Sequence, residues 1–502
     1  MKQPLLTLLA LALFSPTLFA QWTQTAGPEG GLVYCVEQVG TELWAGTQGG
    51  LYISSDEGDS WQLSPDVPAV DFVSRILVYG DTVIMLVSQY DLFESEFDIN
   101  VFVRTSPGGS WAIHTTPVFD WDGLAGNLFL NAYGLYTIGS GEFFKSVDLG
   151  ATWTTLALPI EDNYVQKLFS DGDRIIVDSY IYDTAYVEYN IYSDDGGTTW
   201  QELPAFPSDY YYDEIFVEND LIILADYDTT IQISNDFGVT WQTVALQGPE
   251  YAYLYNIRRG SDGNLYALNS HLWRSADNGL TWEYGPADGY IASVSDMVIL
   301  PDDSYLLTSN SGIYKTGPDM AQWMLSNNQL RATAVYYQYA SPEGYVYASS
   351  DQGFYVTKNA GASWEKAVPD SITQQYAYVY EMLFLGDTIV AANSNGVLFS
   401  FNNGQSWVKV NPDTADYVYD IFGLEYYNNT LYVGGNKIYT TTDMGQTWQI
   451  TSVPITYSNC NDLKALGGDL FGAFSDGQIM RSSDGGQNWT LLTELWTPGA
   501  GR

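Results

Sequence analysis

Apolar and aromatic residues alternate with polar ones in short runs along the whole chain. One stretch shows the pattern well, with runs at Tyr417 to Leu424, Thr430 to Gly434, Ile438 to Thr441 and Trp448 to Val453, separated by Gly, Asn and Asp. Runs of this length, interrupted by turn-forming residues, are typical of β-strands joined by tight turns. No helical period of useful length is present, so the sequence predicts an all-β protein.

The strands are punctuated by a recurring phrase, S-x-D-x-G-x-T-W, which first occurs at Ser54 to Trp61. Two divergent copies carry Ser106 and Pro318 in place of the Asp. The phrase ends at Trp61, Trp111, Trp153, Trp200, Trp241, Trp282, Trp323, Trp364, Trp407, Trp448 and Trp489. Four strands per repeat of about 40 residues are the signature of a β-propeller blade. We therefore predict eleven four-stranded blades, and the even spacing without a linker favours one closed ring over two smaller propellers.

Each part of the repeated phrase, the box, has a mechanical explanation. Its Asp and Ser side chains can accept hydrogen bonds from backbone N–H groups inside the turn between the third and fourth strands. Its Gly can supply a positive φ, and its Trp can be buried between neighbouring blades. We therefore interpret the box carboxylates as structural.

The N-terminus predicts export. Lys2, the apolar run from Leu5 to Phe14 and the small residue Ala20 form the pattern of a signal peptide, residues 1–20, which leaves a propeller of residues 21–502. No later run is long enough for membrane insertion. The expected location is extracellular or periplasmic, with attachment to the cell surface left open, and a monomer is expected.

The charge balance narrows the choice of partners. Against 60 Asp and Glu the chain has 18 Lys and Arg, for a net charge of −42. Nucleic acids and anionic lipid surfaces need a positive face, so neither is an expected partner. Solubility is the favoured explanation of the charge, and attraction of cations or basic partners is the alternative.

The repeat resembles the Asp-box, or BNR, repeat of sialidases, sortilin-type propellers, two-propeller xyloglucanases and photosystem II assembly factors. The resemblance implies the propeller fold, while function depends on individual residues. Arg75-Ile76-Leu77 is the nearest string to the Arg-Ile-Pro signature of sialidases. In Gly46 to Tyr52, Gln48 stands where the xyloglucanases carry a catalytic Asp. The resemblance is greatest to the assembly-factor propellers, which are non-enzymatic protein binders.

Candidate binding residues lie in the links between the fourth strand of one blade and the first strand of the next. These links repeat a theme of Pro, acid and aromatic residue, which is either ordinary turn chemistry or a ring of carboxylates and aromatic faces. The ligand-binding candidates are Trp121, Asp122, Asp162, Tyr164, Asp209, Tyr211, Glu250, Tyr253, Asp288, Tyr290, Asp413 and Tyr417. No cofactor, metal site or catalytic residue is expected, and the two histidines, His114 and His271, make histidine-based chemistry a poor explanation.

These observations favour a secreted, non-catalytic binding or assembly propeller that recognises a protein or polysaccharide on this acidic, aromatic face. The alternative is a glycan-active hydrolase, sialidase-like or xyloglucanase-like, that uses carboxylates of the same face.

The two cysteines test the arrangement of blades. Cys35 lies at the start of the first strand of repeat one, and Cys460 just before that of repeat eleven. In one ring these repeats are neighbours, so we expect a Cys35–Cys460 disulfide in an exported protein. In two separate rings the cysteines would remain apart.

Overall fold

The computed structural model describes residues 30–494 except for 68–71, 92–95, 118–127, 140, 160–163, 183–185, 205, 208–213, 226–228, 248–253, 261, 270, 285–293, 301, 303, 321, 334, 351, 370, 371, 373–377, 413–420 and 452–458. The signal-peptide prediction lies outside these residues. Strands follow one another in sequence order as eleven four-stranded antiparallel sheets, the blades, with one further two-stranded sheet. The predicted all-β class is confirmed.

The strands of the first seven blades follow the repeats of the sequence. Blade one has Val33–Val39, Glu42–Thr47, Gly50–Ser54 and Gln62–Leu63; blade two Phe72–Tyr79, Thr82–Asp91, Glu96–Arg104 and Ala112–Thr115; blade three Phe129–Asn131, Gly134–Gly139, Glu142–Ser146 and Thr154–Thr155; blade four Tyr164–Asp171, Arg174–Tyr182, Tyr186–Ser193 and Gln201–Glu202; blade five Glu214–Glu218, Leu221–Ala225, Thr230–Ser234 and Gln242–Ala245; blade six Tyr255–Arg259, Leu265–Leu268, Leu272–Ser275 and Glu283–Tyr284; blade seven Val294–Ile299, Tyr305–Ser309, Gly312–Thr316 and Met324–Leu325.

Four further blades follow. Blade eight has Val335–Ala340, Val346–Ser350, Gly353–Thr357 and Glu365–Lys366; blade nine Val379–Leu385, Thr388–Asn393, Gly396–Ser400 and Val408–Val410; blade ten Gly423–Tyr427, Thr430–Gly434, Ile438–Thr441 and Gln449–Thr451; blade eleven Cys460–Leu466, Asp469–Phe474, Gln478–Ser482 and Thr490–Glu494.

Blade one packs against blade seven. A buried cluster joins Val36 and Trp61 of blade one to Leu306 and Ile313 of blade seven. Further clusters join each successive pair of blades from one to seven. The first seven blades therefore form a closed ring, in which every blade buries both faces of its sheet against a neighbour.

The prediction of a single eleven-bladed ring is wrong, and the predicted disulfide is wrong with it. Cys35 is buried between blades one and two, Cys460 is buried between blades ten and eleven, and both thiols are free. Because blade one has blades two and seven as its neighbours, the two cysteines do not meet. The even repeat spacing did not reveal the boundary after blade seven, because side chains make the contact that closes the ring and no linker is added to the sequence.

Blades eight to eleven form an open arc. Buried clusters join eight to nine, nine to ten and ten to eleven, and none of the clusters among the described residues joins eleven back to eight. Arg481, on the third strand of blade eleven, pairs with Asp469 of its own blade. By contrast, Lys315 at the matching position of blade seven reaches the box of blade one, 2.9 Å from the Glu57 carbonyl oxygen. The matching cation of blade eleven thus makes its ion pair within its own blade, as expected where no further blade follows.

The ring and the arc meet where the ring closes. Gly30–Gly31, just before blade one, pairs in parallel with Arg331–Ala332, which links blades seven and eight. Gln352 of blade eight donates a hydrogen bond to the Asn310 carbonyl of blade seven. The Gly30 backbone has a φ of 105°, and an added Cβ would lie 3.1 Å from the Ser311 carbonyl oxygen, so glycine suits this crossing.

Blade ten shows how far the strand predictions were correct. The second and third strands, Thr430–Gly434 and Ile438–Thr441, are confirmed to the residue. The first strand ends at Tyr427 and not at Leu424, because Asn428 and Asn429 both adopt positive φ and close a two-residue hairpin.

The described part of the chain contains no helix with the length and apolarity of a membrane span.

Candidate functional site

The box carboxylates are occupied by their own turns. In blade one, the Ser60 N–H donates to Asp56 Oδ1 at 2.8 Å, and the Ser60 hydroxyl donates to Oδ2 at 2.6 Å. The Ser54 hydroxyl donates to Asp56 Oδ1 and accepts from the Gly58 N–H, both at 2.8 Å. The same contacts recur in the boxes of blades three to six, ten and eleven, and each holds one turn. These geometries support the structural interpretation of the boxes.

Hydrogen bonding lowers the pKa of the box carboxylates. The Thr152 hydroxyl and N–H bring the pKa of Asp148 to about 2, and the Thr447 hydroxyl and N–H bring that of Asp443 to about 2. Because these pKa values lie below the ordinary value of about 3.9 in an unfolded chain, ionised boxes stabilise the fold above about pH 4. That contribution is lost as the pH falls from about 4 to about 2.

Two boxes of the chain carry the amide instead, which provides a test. Asn359 and Asn402 accept from the Ser363 and Ser406 N–H groups at 2.9 Å, in the same geometry. We expect Asp443→Asn to fold normally. Between pH 4 and pH 2, its melting temperature should decrease by less than that of the wild type. Thermal melts at both pH values measure this difference, and an unchanged acid sensitivity would show that the box does not contribute to it.

A β-bulge recurs in the inner strand of eight blades. The register between the first and second strands shifts after Val33, Val73, Val165, Tyr255, Val294, Val335, Val379 and Cys460. A bulge lets two consecutive side chains of one strand point toward the same side, whereas consecutive side chains of a regular strand point to opposite faces. In the ring, residues that follow these register shifts, including Tyr34, Ser74 and Ser295, line a common cavity.

This ring cavity has a volume of about 660 Å³ and lies among the inner strands of blades one, two, four, five, six and seven. Its lining carries three cations, Arg75, Lys167 and Arg258, although the chain has few cations. Glu214 and Asp296 contribute carboxylates to the same lining. Opposite charges lie side by side here, so the cavity is polar but has no strong excess of either sign.

Asp296 is the centre of the ion network and is almost completely buried. Its Oδ1 atom accepts from Arg258 Nη2 at 2.5 Å, and its Oδ2 atom accepts from the Val36 N–H of blade one at 3.1 Å. Arg258 also donates from Nη1 to the Met297 carbonyl oxygen at 3.1 Å, and the same atom lies 3.8 Å from Glu37 Oε1. The network thereby ties blades six, seven and one together at the closure of the ring.

Glu214 of the cavity lining and Glu37, which lies beside Arg258, have raised pKa values. Burial raises the pKa of Glu37, and neighbouring Asp296 raises it further, while Arg258 and Arg75 oppose the shift. Burial also raises the pKa of Glu214, although its Oε1 accepts a hydrogen bond from the Ile257 N–H at 3.2 Å. Both carboxyls are thus held in an environment that favours the protonated form.

The predicted ligand-binding residues fall almost entirely outside the described part of the chain. Trp121, Asp122, Asp162, Asp209, Tyr211, Glu250, Tyr253, Asp288, Tyr290, Asp413 and Tyr417 all lie there. Tyr164 is described: it begins the inner strand of blade four, is 47% exposed, and its ring lies tilted against that of Tyr180 with centroids 5.2 Å apart. No contact of Tyr164 tests ligand binding either, so all twelve candidates remain predictions.

Gln48 and Arg75, which the resemblance singled out, lie in different places. Gln48 lies in the turn between the second and third strands of blade one, and its N–H donates to the Leu32 carbonyl at 3.1 Å. Arg75 follows the bulge of blade two and lines the cavity.

A family model for the BNR/Asp-box repeat matches residues 191–202, the box of blade four. The match agrees with the four-stranded sheets and box turns of the described residues. The chain carries the BNR/Asp-box repeat in a β-propeller fold. No curated protein sequence matches this Asp-box protein.

Solved structures support the propeller fold of this Asp-box protein. The GH74 xyloglucanase from Xanthomonas campestris superposes with a TM-score of 0.61 and 15% identity, over 93% of this chain and 80% of the other. The GH74 enzyme from Niastella koreensis gives 0.58 and 15% identity, over 93% and 79%. YCF48 from Cyanidioschyzon merolae is also similar, with a TM-score of 0.32 and 14% identity, over 56% and 95%. At these identities the similarity to the GH74 enzymes concerns the fold.

The cavity residues were missed by the sequence analysis, although the sequence carries a signal for them. A β-branched residue followed by two polar or aromatic residues opens several inner strands, as at Val73-Ser74-Arg75 and Val294-Ser295-Asp296. A regular strand would place the second of these residues on the opposite face from the third. Recognising the bulge would have predicted that both residues reach the cavity.

Proposed function

We propose that this Asp-box protein is an exported, non-catalytic binding protein that recognises a protein or a glycan through its seven-bladed ring. The recognition surface combines the cavity at the centre of the ring with the acidic, aromatic links between its blades. The signal peptide of residues 1–20 supplies the export and is part of the proposal.

The observation that carries the proposal is the state of the cavity carboxylates. Asp296 accepts from the Val36 N–H, the Met297 N–H and Arg258, and Glu214 accepts from the Ile257 N–H. Carboxylates that hold blades together are poorly placed to act as nucleophile or base, because reaching a substrate would break their contacts between blades. The cavity is instead a fixed polar surface, which suits recognition.

The proposal is tested by filling the cavity. Ser74→Tyr introduces a large side chain at a bulge position where blades one, eight and nine already hold Tyr34, Tyr336 and Tyr380. A panel of β-glucans, xyloglucan, sialyl glycans and basic proteins first identifies a ligand that binds the wild type. We expect Ser74→Tyr to keep its melting temperature and to bind that ligand at least about tenfold more weakly. The paired change Asp209→Asn with Tyr211→Ala tests the links in the same assay.

Two results would contradict the binding proposal. One is undiminished affinity in both the Ser74→Tyr and the link variant. The other is turnover of a glycan by the wild-type protein, measured as new reducing ends, that disappears in Glu214→Gln.

The second candidate function, a glycoside hydrolase, is favoured by the raised pKa values of Glu37 and Glu214. A general acid requires a carboxyl whose pKa is raised, and burial raises the pKa of both glutamates. If this function is correct, activity on xyloglucan or sialyl substrates falls as the pH rises through the pKa of the acid, and Glu37→Gln and Glu214→Gln each abolish it.

A further inference from the structure

We propose that the inner surface of the four-blade arc binds a cationic segment, the Lys or Arg side chains of a basic protein, by cation–π contacts with exposed tyrosines beside an acidic cluster. This surface belongs to blades eight to eleven and is separate from the ring that carries the proposed function. The arc surface is defined by Tyr336, Tyr337, Tyr378, Tyr380, Phe422, Glu381, Glu425, Asp462 and Lys464.

Five aromatic rings from three neighbouring blades form one contiguous patch. Tyr336 meets Tyr378 with ring centroids 5.3 Å apart at 85°, and Tyr337 meets Tyr380 at 5.8 Å and 80°. Tyr380 continues to Phe422 at 4.6 Å. Tyr378 lies 6.3 Å from Tyr380 and joins the two groups. These edge-to-face and tilted contacts fix the rings against one another, so their faces are preorganised for a ligand.

The patch is open to solvent on blade eight. Tyr336 is 54% exposed and Tyr337 is 41% exposed, although both belong to an inner strand. The bulge after Val335 is the same device that directs Tyr34 and Ser74 into the cavity of the ring. In the open arc the equivalent positions therefore look onto an accessible concave surface instead of a closed cavity.

Negative charge exceeds positive charge beside the rings. Lys464 Nζ lies 2.8 Å from Glu381 Oε1 and 3.2 Å from Asp462 Oδ1. Burial raises the pKa of the nearby Glu425, and the charges of Glu381 and Asp462 raise it further. Three carboxyls thus share one lysine, which leaves a net negative potential at the edge of the tyrosine patch.

Charge complementarity selects a cation over a neutral sugar. Tyrosine faces attract both, because each ring presents a negative face to a cation and an apolar face to a sugar. Adjacent carboxylates add attraction for a guanidinium or an ammonium and add nothing specific for a neutral glycan. A net charge of −42 on the whole chain steers basic partners to it in the same way.

The test uses the full chain and two peptides, Arg-Gly-Arg-Gly-Arg and its analogue with citrulline in place of each arginine, which keeps the shape and removes the charge. We expect the arginine peptide to bind and the citrulline peptide to bind at least about tenfold more weakly. Tyr336→Leu with Tyr337→Leu should weaken the arginine peptide about fivefold to tenfold, whereas Tyr336→Phe with Tyr337→Phe should keep the affinity because the ring faces remain.

Control variants separate the patch from the general acidity of the chain. Tyr79→Leu removes a tyrosine of blade two that is 51% exposed and should leave the affinity unchanged. Glu425→Gln should weaken binding about threefold, and Asp81→Asn, which removes the same charge in an exposed hairpin turn of blade two, should not. Melting temperatures of all variants confirm that they fold.

The proposal is overturned if both peptides bind equally or if the leucine variant binds as tightly as the wild type. It is also overturned if cellohexaose binds at the same tyrosines, with an affinity that does not change between 50 and 300 mM salt, while the arginine peptide does not bind. Loss of arginine-peptide affinity as salt rises supports it, because screened charge pairs weaken.

Discussion

Asp296→Ala should lower the free energy of unfolding by about 2–4 kcal/mol, because it removes one carboxylate that three blades share. The Val36 N–H loses its acceptor, and Arg258 loses its nearest counter-charge. Arg258 keeps some contact with solvent, with 35% of its side chain exposed, so the cost is smaller than for a fully buried pair. In thermal melts we expect a decrease of about 3–6 °C for a ring of about 300 residues.

Asp66→Ala is the control for this variant, because Asp66 is exposed near the end of blade one. Its melting temperature should stay close to that of the wild type. Equal melting temperatures for Asp296→Ala and the wild type would contradict the role of Asp296 in ring closure.

Trp61→Ala is expected to destabilise the protein by about 3–5 kcal/mol, the usual cost of removing a buried tryptophan. Trp61 is 0% exposed, lies in the cluster between blades one and seven, and donates from Nε1 to the Ser326 carbonyl at 2.8 Å. The variant would leave a cavity at the closing interface and an unsatisfied carbonyl. Denaturant unfolding measures the change in free energy.

Trp364 of blade eight provides the matched control. The box tryptophan of a blade faces the preceding blade, as Trp407 faces blade eight and Trp489 faces blade ten. Blade eight begins the arc, and Trp364 is only half-buried. Trp364→Ala should therefore cost less than half as much as Trp61→Ala, and equal costs would contradict the division into ring and arc.

Local structure was predictable from the sequence because local interactions determine it. The box turns follow from hydrogen bonds within a few residues, as between Asp56 and Ser60, and the strands follow from alternation between turn signals. The number of blades in a ring depends instead on contacts between distant residues, such as Val36 with Asp296. No repeat spacing encodes that pairing, so the single ring and the Cys35–Cys460 bridge were predicted incorrectly.

The candidate site was predictable only in part for a similar reason. Link residues such as Asp209 and Tyr211 were chosen by composition, whereas the cavity is built by bulges that change which side chains point inward. Ser74 and Ser295 are unremarkable in the sequence, and their position becomes informative only when the register shift beside each is known. The sign of the charge was also misleading, because an acidic chain gathers Arg75, Lys167 and Arg258 at one cavity.

Closure of the ring between blades seven and one can be measured by chemical cross-linking. Lys315 Nζ of blade seven lies 3.1 Å from Asp59 Oδ1 of blade one, and Arg481 is the matching residue of blade eleven. Asp59→Cys is combined with either Lys315→Cys or Arg481→Cys, and both proteins are treated with a short bis-maleimide and analysed by mass spectrometry. We expect an intramolecular cross-link between positions 59 and 315 and none between 59 and 481. A cross-link between 59 and 481 without one between 59 and 315 would show that the ring does not close between blades seven and one.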